Sequence, residues 1–183
     1  MKNSVFTFYA GASGSNISNL NIANNKMYHY GIFLNGASNC VISGCTIKNS
    51  ATSAYAICVA NGANYNNVTD NDLTTSGVKE GYATWSTTPL LLSGAHYNYI
   101  ANNHVSCGDT NAIYLSSYPG GPLKGGNSNF NVIYNNTVKY NVLPTSWAYG
   151  IQLIGLNNTA DSNTVIGAYL GISGGSNSLI IKS

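Results

Sequence analysis

The sequence predicts an all-β chain wound as a parallel solenoid of about seven coils, and three observations carry that reading. A six-residue phrase, apolar-x-x-Asn-x-apolar, recurs down the 183 residues. It reads Val68-Thr69-Asp70-Asn71-Asp72-Leu73, and returns around Asn103, Asn136 and Asn163. Two earlier copies keep the frame with Leu20 and Cys45 at the fourth place. The fourth places step by 25, 26, 32, 33 and 27 residues, the period of a repeat architecture. Ahead of the copies runs an apolar-x-apolar phrase, centred on Phe33, Cys58, Leu91, Tyr114 and Gln152, with the two-residue alternation of a half-buried strand. No stretch sustains a 3.6-residue apolar period, so little helix is expected.

The elements follow in order. Coil one opens at residues 5–8 and carries the phrase at 17–22. Coil two pairs 32–34 with 42–47, and coil three pairs 57–59 with 68–73. An inserted loop at 74–89 precedes the strand phrase at 90–92. A second insertion, near 116–129, follows 113–115, and a third, 139–149, precedes 151–153. Gly31, Gly150, Gly171 and Pro89 punctuate strand starts. Coils stacked at about 4.8 Å make a rod roughly 30–35 Å long. A constant place in the frame points the fourth-position asparagines inward, where stacked amides satisfy one another. The other reading of these asparagines is as ordinary turn residues.

The segment Gly31-Ile32-Phe33-Leu34-Asn35-Gly36-Ala37-Ser38-Asn39, followed by Val41-Ile42 and Cys45-Thr46-Ile47, resembles the right-handed parallel β-helix repeat of the pectin-lyase-like superfamily, NosD-type repeats above all. The resemblance implies a right-handed parallel β-helix over nearly the whole chain, treated as one domain, 1–183, or as a segment of a longer solenoid. That superfamily contains lyases, hydrolases, epimerases, tailspikes, adhesins and surface-layer proteins, so fold alone does not choose an activity. Its lyases and epimerases typically use Lys or Arg with acidic residues, often around calcium. This chain has no Arg and only five acids, Asp70, Asp72, Glu80, Asp109 and Asp161.

With a net charge of +2 and all seven basic residues Lys, a nucleic-acid partner is not expected. No run of 18 apolar residues occurs, so no membrane-spanning helix is expected. The spacing of Cys40, Cys45, Cys58 and Cys107 matches no zinc site, and neither metal nor cofactor is expected. Hydrolysis of a glycosidic bond needs two paired carboxylates; Asp70 and Asp72 are the one close pair, flanking inward Asn71. His104 takes the place of Asp72 one coil on, a pairing able to act as base or metal ligand, or to be an ordinary surface pair.

Three candidate surfaces remain. The column Phe33, Cys58, Leu91 and Tyr114 should face outward, as an exposed interface or as ground that an inserted loop covers. The loops at 74–89 and 139–149 leave one corner and bring Tyr82, Trp85, Tyr140, Trp147 and Tyr149, with Asp109 between, as glycan-binding candidates or as a satellite core. Asn16, Asn67, Asn135 and Asn157 open N-glycosylation sequons. Strand-like residues at both ends suggest end-to-end stacking. The expectation is a non-enzymatic extracellular or cell-surface solenoid, an adhesin, sheath or surface-layer segment. Its partners would be further copies of itself or other surface proteins. The alternative is a carbohydrate-binding or polysaccharide-processing protein whose partner is a polysaccharide.

Overall fold

The structure is a computed structural model that describes residues 5–25, 30–50, 54–75, 87–116, 123, 125–145, 147–175 and 179–182; for 23–25 and 179–182 only the backbone is described. Among the described residues, twenty strands form three parallel sheets. The first sheet stacks seven strands, from Phe6–Tyr9 and Tyr30–Asn35 through Leu90–Ser93 to Leu170–Gly174. The second stacks seven, including Val41–Ser43, Asn67–Thr69, Tyr99–Ala101, Val132–Tyr134 and Asn158–Asp161. The third stacks six, from Asn21–Asn25 to Thr164–Ile166. Seven coils and an all-β architecture match the period read from the sequence.

In-register stacking puts like on like. Ile32, Ile57, Leu90, Ile113 and Ile151 form one inward column of the first sheet. Ile42, Val68, Ile100 and Ile133 form that of the second, and Ile47, Leu73, Val105 and Val138 that of the third. All are essentially fully buried in one continuous core. Burying such side chains contributes about 1.5–3 kcal/mol each. Gly31 is needed where the first sheet meets the third: a Cβ there would come within 2.6 Å of Ala56 O and Ile47 Cγ2.

The inward asparagine ladder is present. Asn71 Nδ2 donates to Asn103 Oδ1 at 2.9 Å, Asn103 to Asn136 at 2.9 Å, and Asn136 to Asn163 at 3.0 Å. Each Oδ1 also accepts the backbone N–H of the residue one coil earlier, and Cys45 N closes the series on Asn71 Oδ1 at 2.9 Å. Sequence reading missed a second ladder five residues upstream. Asn66, Asn98, Asn131 and Asn158 repeat the pattern, with Cys40 N donating to Asn66 Oδ1 at 2.8 Å. The turn reading was half right: the residue before each ladder position takes the left-handed conformation, as Asn39, Asp70, Asn102, Asn135 and Asn157 do.

The outward column aligns as the spacing predicted, Phe33 with Cys58, Leu91, Tyr114 and Gln152. As an exposed interface it is a correction. Phe33, Cys58, Leu91 and Tyr114 are 4, 0, 3 and 7 % exposed. Leu123, from the second insertion, packs on them with Tyr30, Tyr55 and Ile154, making a second core outside the first sheet. An apolar column of that width is stable only when covered, and the covering is supplied within the chain. Cys58 is therefore unavailable for cross-linking, and all four cysteines are free thiols.

Candidate functional site

The loop corner lies only partly within the described residues. Strands Asp72–Thr75 and Thr137–Tyr140 of the third sheet both lead into insertions at the same corner, as register required. Tyr82, Trp85 and Glu80 lie outside the described residues. Tyr140 is buried in the main core, its hydroxyl directed at Thr110 O (2.8 Å) and Tyr149 O (2.7 Å). The amphipathic ring has found an internal partner, which is the satellite-core alternative. Asp109 accepts from Thr145 N at 3.0 Å and from Thr145 Oγ1, so it anchors the loop. Tyr149 is half-buried in the strand Tyr149–Leu153, and Trp147 is 65 % exposed.

Reactive groups are held back by burial. Desolvation pushes the Cys107 thiol up to about 12, against a side-chain hydrogen bond with Tyr140 that lowers it. The Cys58 thiol is raised further by the same cause, and desolvation also raises Cys45. All three thiols are buried and held in the protonated form. Asp72 and His104 are register neighbours on the third sheet and both exposed. Among the described residues no group of three His, Cys, Asp or Glu side chains gathers.

A different surface is the most distinctive. Tyr65, Tyr97 and Phe130 occupy one corner on three successive coils, each immediately before a second-ladder asparagine. Their rings stack at 5.0 and 4.9 Å with planes 7° and 4° apart, yet remain 56, 47 and 41 % exposed. Each sits at φ near +58°, where an L residue incurs about 1–2 kcal/mol and a bulky one is unusual. Two ring contacts return about 0.5–1.5 kcal/mol each, less than three such strains. The flanking coils place Asn39 and Asn157 at the same position, the residue type that tolerates it best. Beside the stack, Tyr99 and Tyr134 project from the second sheet, 39 and 38 % exposed. A signal for this was present and unread: aromatic-Asn-x-apolar occurs at Tyr65, Tyr97 and Phe130.

All four sequon asparagines are exposed. Asn16 and Asn67 share a column of the second sheet through Val41, as predicted. Asn135 and Asn157 sit on the left-handed corners next to buried Asn136 and Asn158.

Against known proteins, the model of the right-handed β-helix region family matches residues 7–183, and the chain belongs to that family. Search of curated proteins and of solved structures finds no match for it. Membership agrees with the three stacked parallel sheets and assigns no activity.

Proposed function

We propose that the chain is a non-enzymatic, cell-surface structural solenoid, an adhesin-like rod that belongs to a larger extracellular assembly. One observation carries the reading. Nine asparagines are buried among the described residues, yet all four that open sequons face solvent. Asparagine is thus used inward for ladders and outward where a glycan could attach. The twin ladders support a mechanical role, since they tie five successive coils, from Cys40 and Cys45 to Asn158 and Asn163, through satisfied buried amides. Among the described residues no group of three His, Cys, Asp or Glu side chains gathers and Asp109 is engaged by Thr145, which supports a non-catalytic role over the polysaccharide-processing alternative. The covered column on the first sheet moves any lateral self-association to another face.

The test uses native material. Intact cells are labelled with a membrane-impermeant amine reagent, and the protein is recovered for peptide mass spectrometry. Labelling, with glycan mass on Asn67 and at least one other sequon, is expected. A chain labelled only after lysis would end this reading. Sugar release from neutral and acidic polysaccharides, if it tracked the purified chain, would favour the processing alternative.

A further inference from the structure

We propose that the outer face of the second sheet binds one extended, uncharged polysaccharide chain along Tyr65, Tyr97 and Phe130, with Tyr99 and Tyr134 as the flanking contacts. The inference concerns a different surface from the loop corner, and it does not depend on where the protein resides.

The strain is the first argument. The left-handed corner itself belongs to the fold, and Tyr65, Tyr97 and Phe130 each donate their backbone N–H to the next coil there. What the fold does not need is a bulky ring at that place, where one is unusual, and such a choice points to function. Here Asn39 and Asn157 show that the corner closes without an aromatic ring, and the three coils between them use rings. The second argument is shape. Parallel rings touch at about 3.5–4 Å. With centroids 4.9–5.0 Å apart and planes within 7°, the three rings form one continuous column that stays 41–56 % exposed, so part of each ring surface is open to a ligand. A planar base would need roughly twice the contact spacing to enter between them, so intercalation is excluded. The rings repeat with the coil rise, about 4.8 Å, comparable with one pyranose unit of an extended chain. Successive sugars can therefore meet successive coils, each resting its C–H groups on a ring.

The third argument is charge. The outward residues of this sheet from Val41 and Ser43 to Val132 and Tyr134 are Asn, Ser, Thr, Val, Ala and Tyr. The ionisable groups beside them include the carboxylate of Asp161, paired with Tyr134 one coil on, and half-buried His96 beside Tyr97, whose Nδ1 accepts from Asn129 N. A polyanion finds no cation there, and an apolar protein partner would leave phenol, amide and hydroxyl groups dry. A neutral, hydroxyl-rich chain suits both the rings and the polar groups between them.

The experiment is affinity electrophoresis of the purified chain in gels containing hydroxyethyl-cellulose, mixed-linkage β-glucan, glucomannan, soluble chitin oligomers or, as the charged counterpart, polygalacturonate. Retardation by at least one neutral polymer is expected, unchanged by 0.5 M salt (about three times physiological ionic strength). The triple variant Tyr65→Asn/Tyr97→Asn/Phe130→Asn should bind at least about tenfold more weakly while melting no lower than wild type. Tyr99→Thr, which leaves the strained corner untouched, should weaken binding severalfold by itself. The proposal is overturned if no neutral polymer retards the chain, or if polygalacturonate alone does. It is equally overturned if the triple variant binds normally, melts lower or fails to fold, since the rings would then be a structural staple. Sedimentation showing that wild type dimerises and the triple variant does not would assign the face to a second copy instead.

Discussion

Tyr97 and Asn98 are adjacent in the chain and occupy the two sides of one corner. Asn98 is 1 % exposed, donates to Asn131 Oδ1 and Ala63 O, and accepts from the amide of Asn66. Tyr97 is 47 % exposed and held at φ +57°. The inner side spends its polar groups on one another, so every change there leaves an orphan. The outer side holds a bulky ring on a left-handed backbone whose N–H donates to Asn129 O, a bond that Asn39 makes equally well in its own coil without a ring. The lesson is that position in the repeat sets which residues stability depends on, and identity at the outward positions is free to serve something else.

The comparison is tested hardest on its inner side. Asn98→Leu removes the acceptor for Asn66 N and Nδ2 and the donor to Ala63 O. At about 1–3 kcal/mol per orphaned group, a loss of about 3 kcal/mol or more is expected in urea unfolding. Asn103→Leu, in the other ladder, should behave alike; an unchanged midpoint in both would refute the ladders as stabilising elements.

Next in size is the covered column. Leu123→Ser should cost about 1.5–3 kcal/mol and expose an apolar strip, detected as binding of a hydrophobic dye. If the melt is unchanged, the insertion contributes nothing to that second core.

Alkaline pH probes the interior thiol. Cys107 ordinarily titrates at 9.0 and is pushed up to about 12 in the fold. Folding thus favours the protonated form, so this contribution is fully present below pH 9 and is lost as pH rises from 9 towards 12. Stability should fall by about 1.4 kcal/mol per pH unit for this one group, and Cys107→Ala should flatten the slope by that amount. Equal slopes in the two proteins would contradict the assignment.

A smaller effect is expected at half-buried His96. Its Nδ1 accepts from Asn129 N at 3.1 Å, which assigns the ring proton to Nε2. The rung belongs to an outer series running Ser13, Ser38, Asn64, His96 and Asn129. His96→Leu should cost about 1 kcal/mol, and His96→Asn, which restores an acceptor, should cost little. Equal losses would show that the acceptor is irrelevant. Smallest of all is Tyr97→Asn, for which the outer side predicts a melting temperature equal to or slightly above wild type.

The fold was legible because a solenoid is a local code repeated. Ile32, Ile57 and Leu90 recur at one place in the frame, and stacking places each on the last, so periodicity and register are the same information. Asn71, Asn103 and Asn136 could be assigned inward for that reason. The second ladder escaped because Asn66, Asn98 and Asn131 sit among other asparagines in a chain with 28 of them, and composition hid the spacing. The site was less legible. For Tyr140 the sequence leaves both a glycan platform and a core position open, and only the contacts of its hydroxyl with Thr110 O and Tyr149 O decide for the core. Whether an outward residue meets solvent or an inserted loop depends on where that loop returns.

The sequence by itself determined the coil count, the parallel stacking, the inward asparagine ladder and the outward place of Asn16 and Asn67, since each follows from a period counted along the chain. Only the tertiary structure decided that Leu123 closes over Phe33, Cys58, Leu91 and Tyr114, and that Tyr65, Tyr97 and Phe130 meet as one exposed stack. The physical reason is that loop return and side-chain stacking across coils are contacts between residues 26 to 33 or more positions apart, set by three-dimensional register and by competition with water.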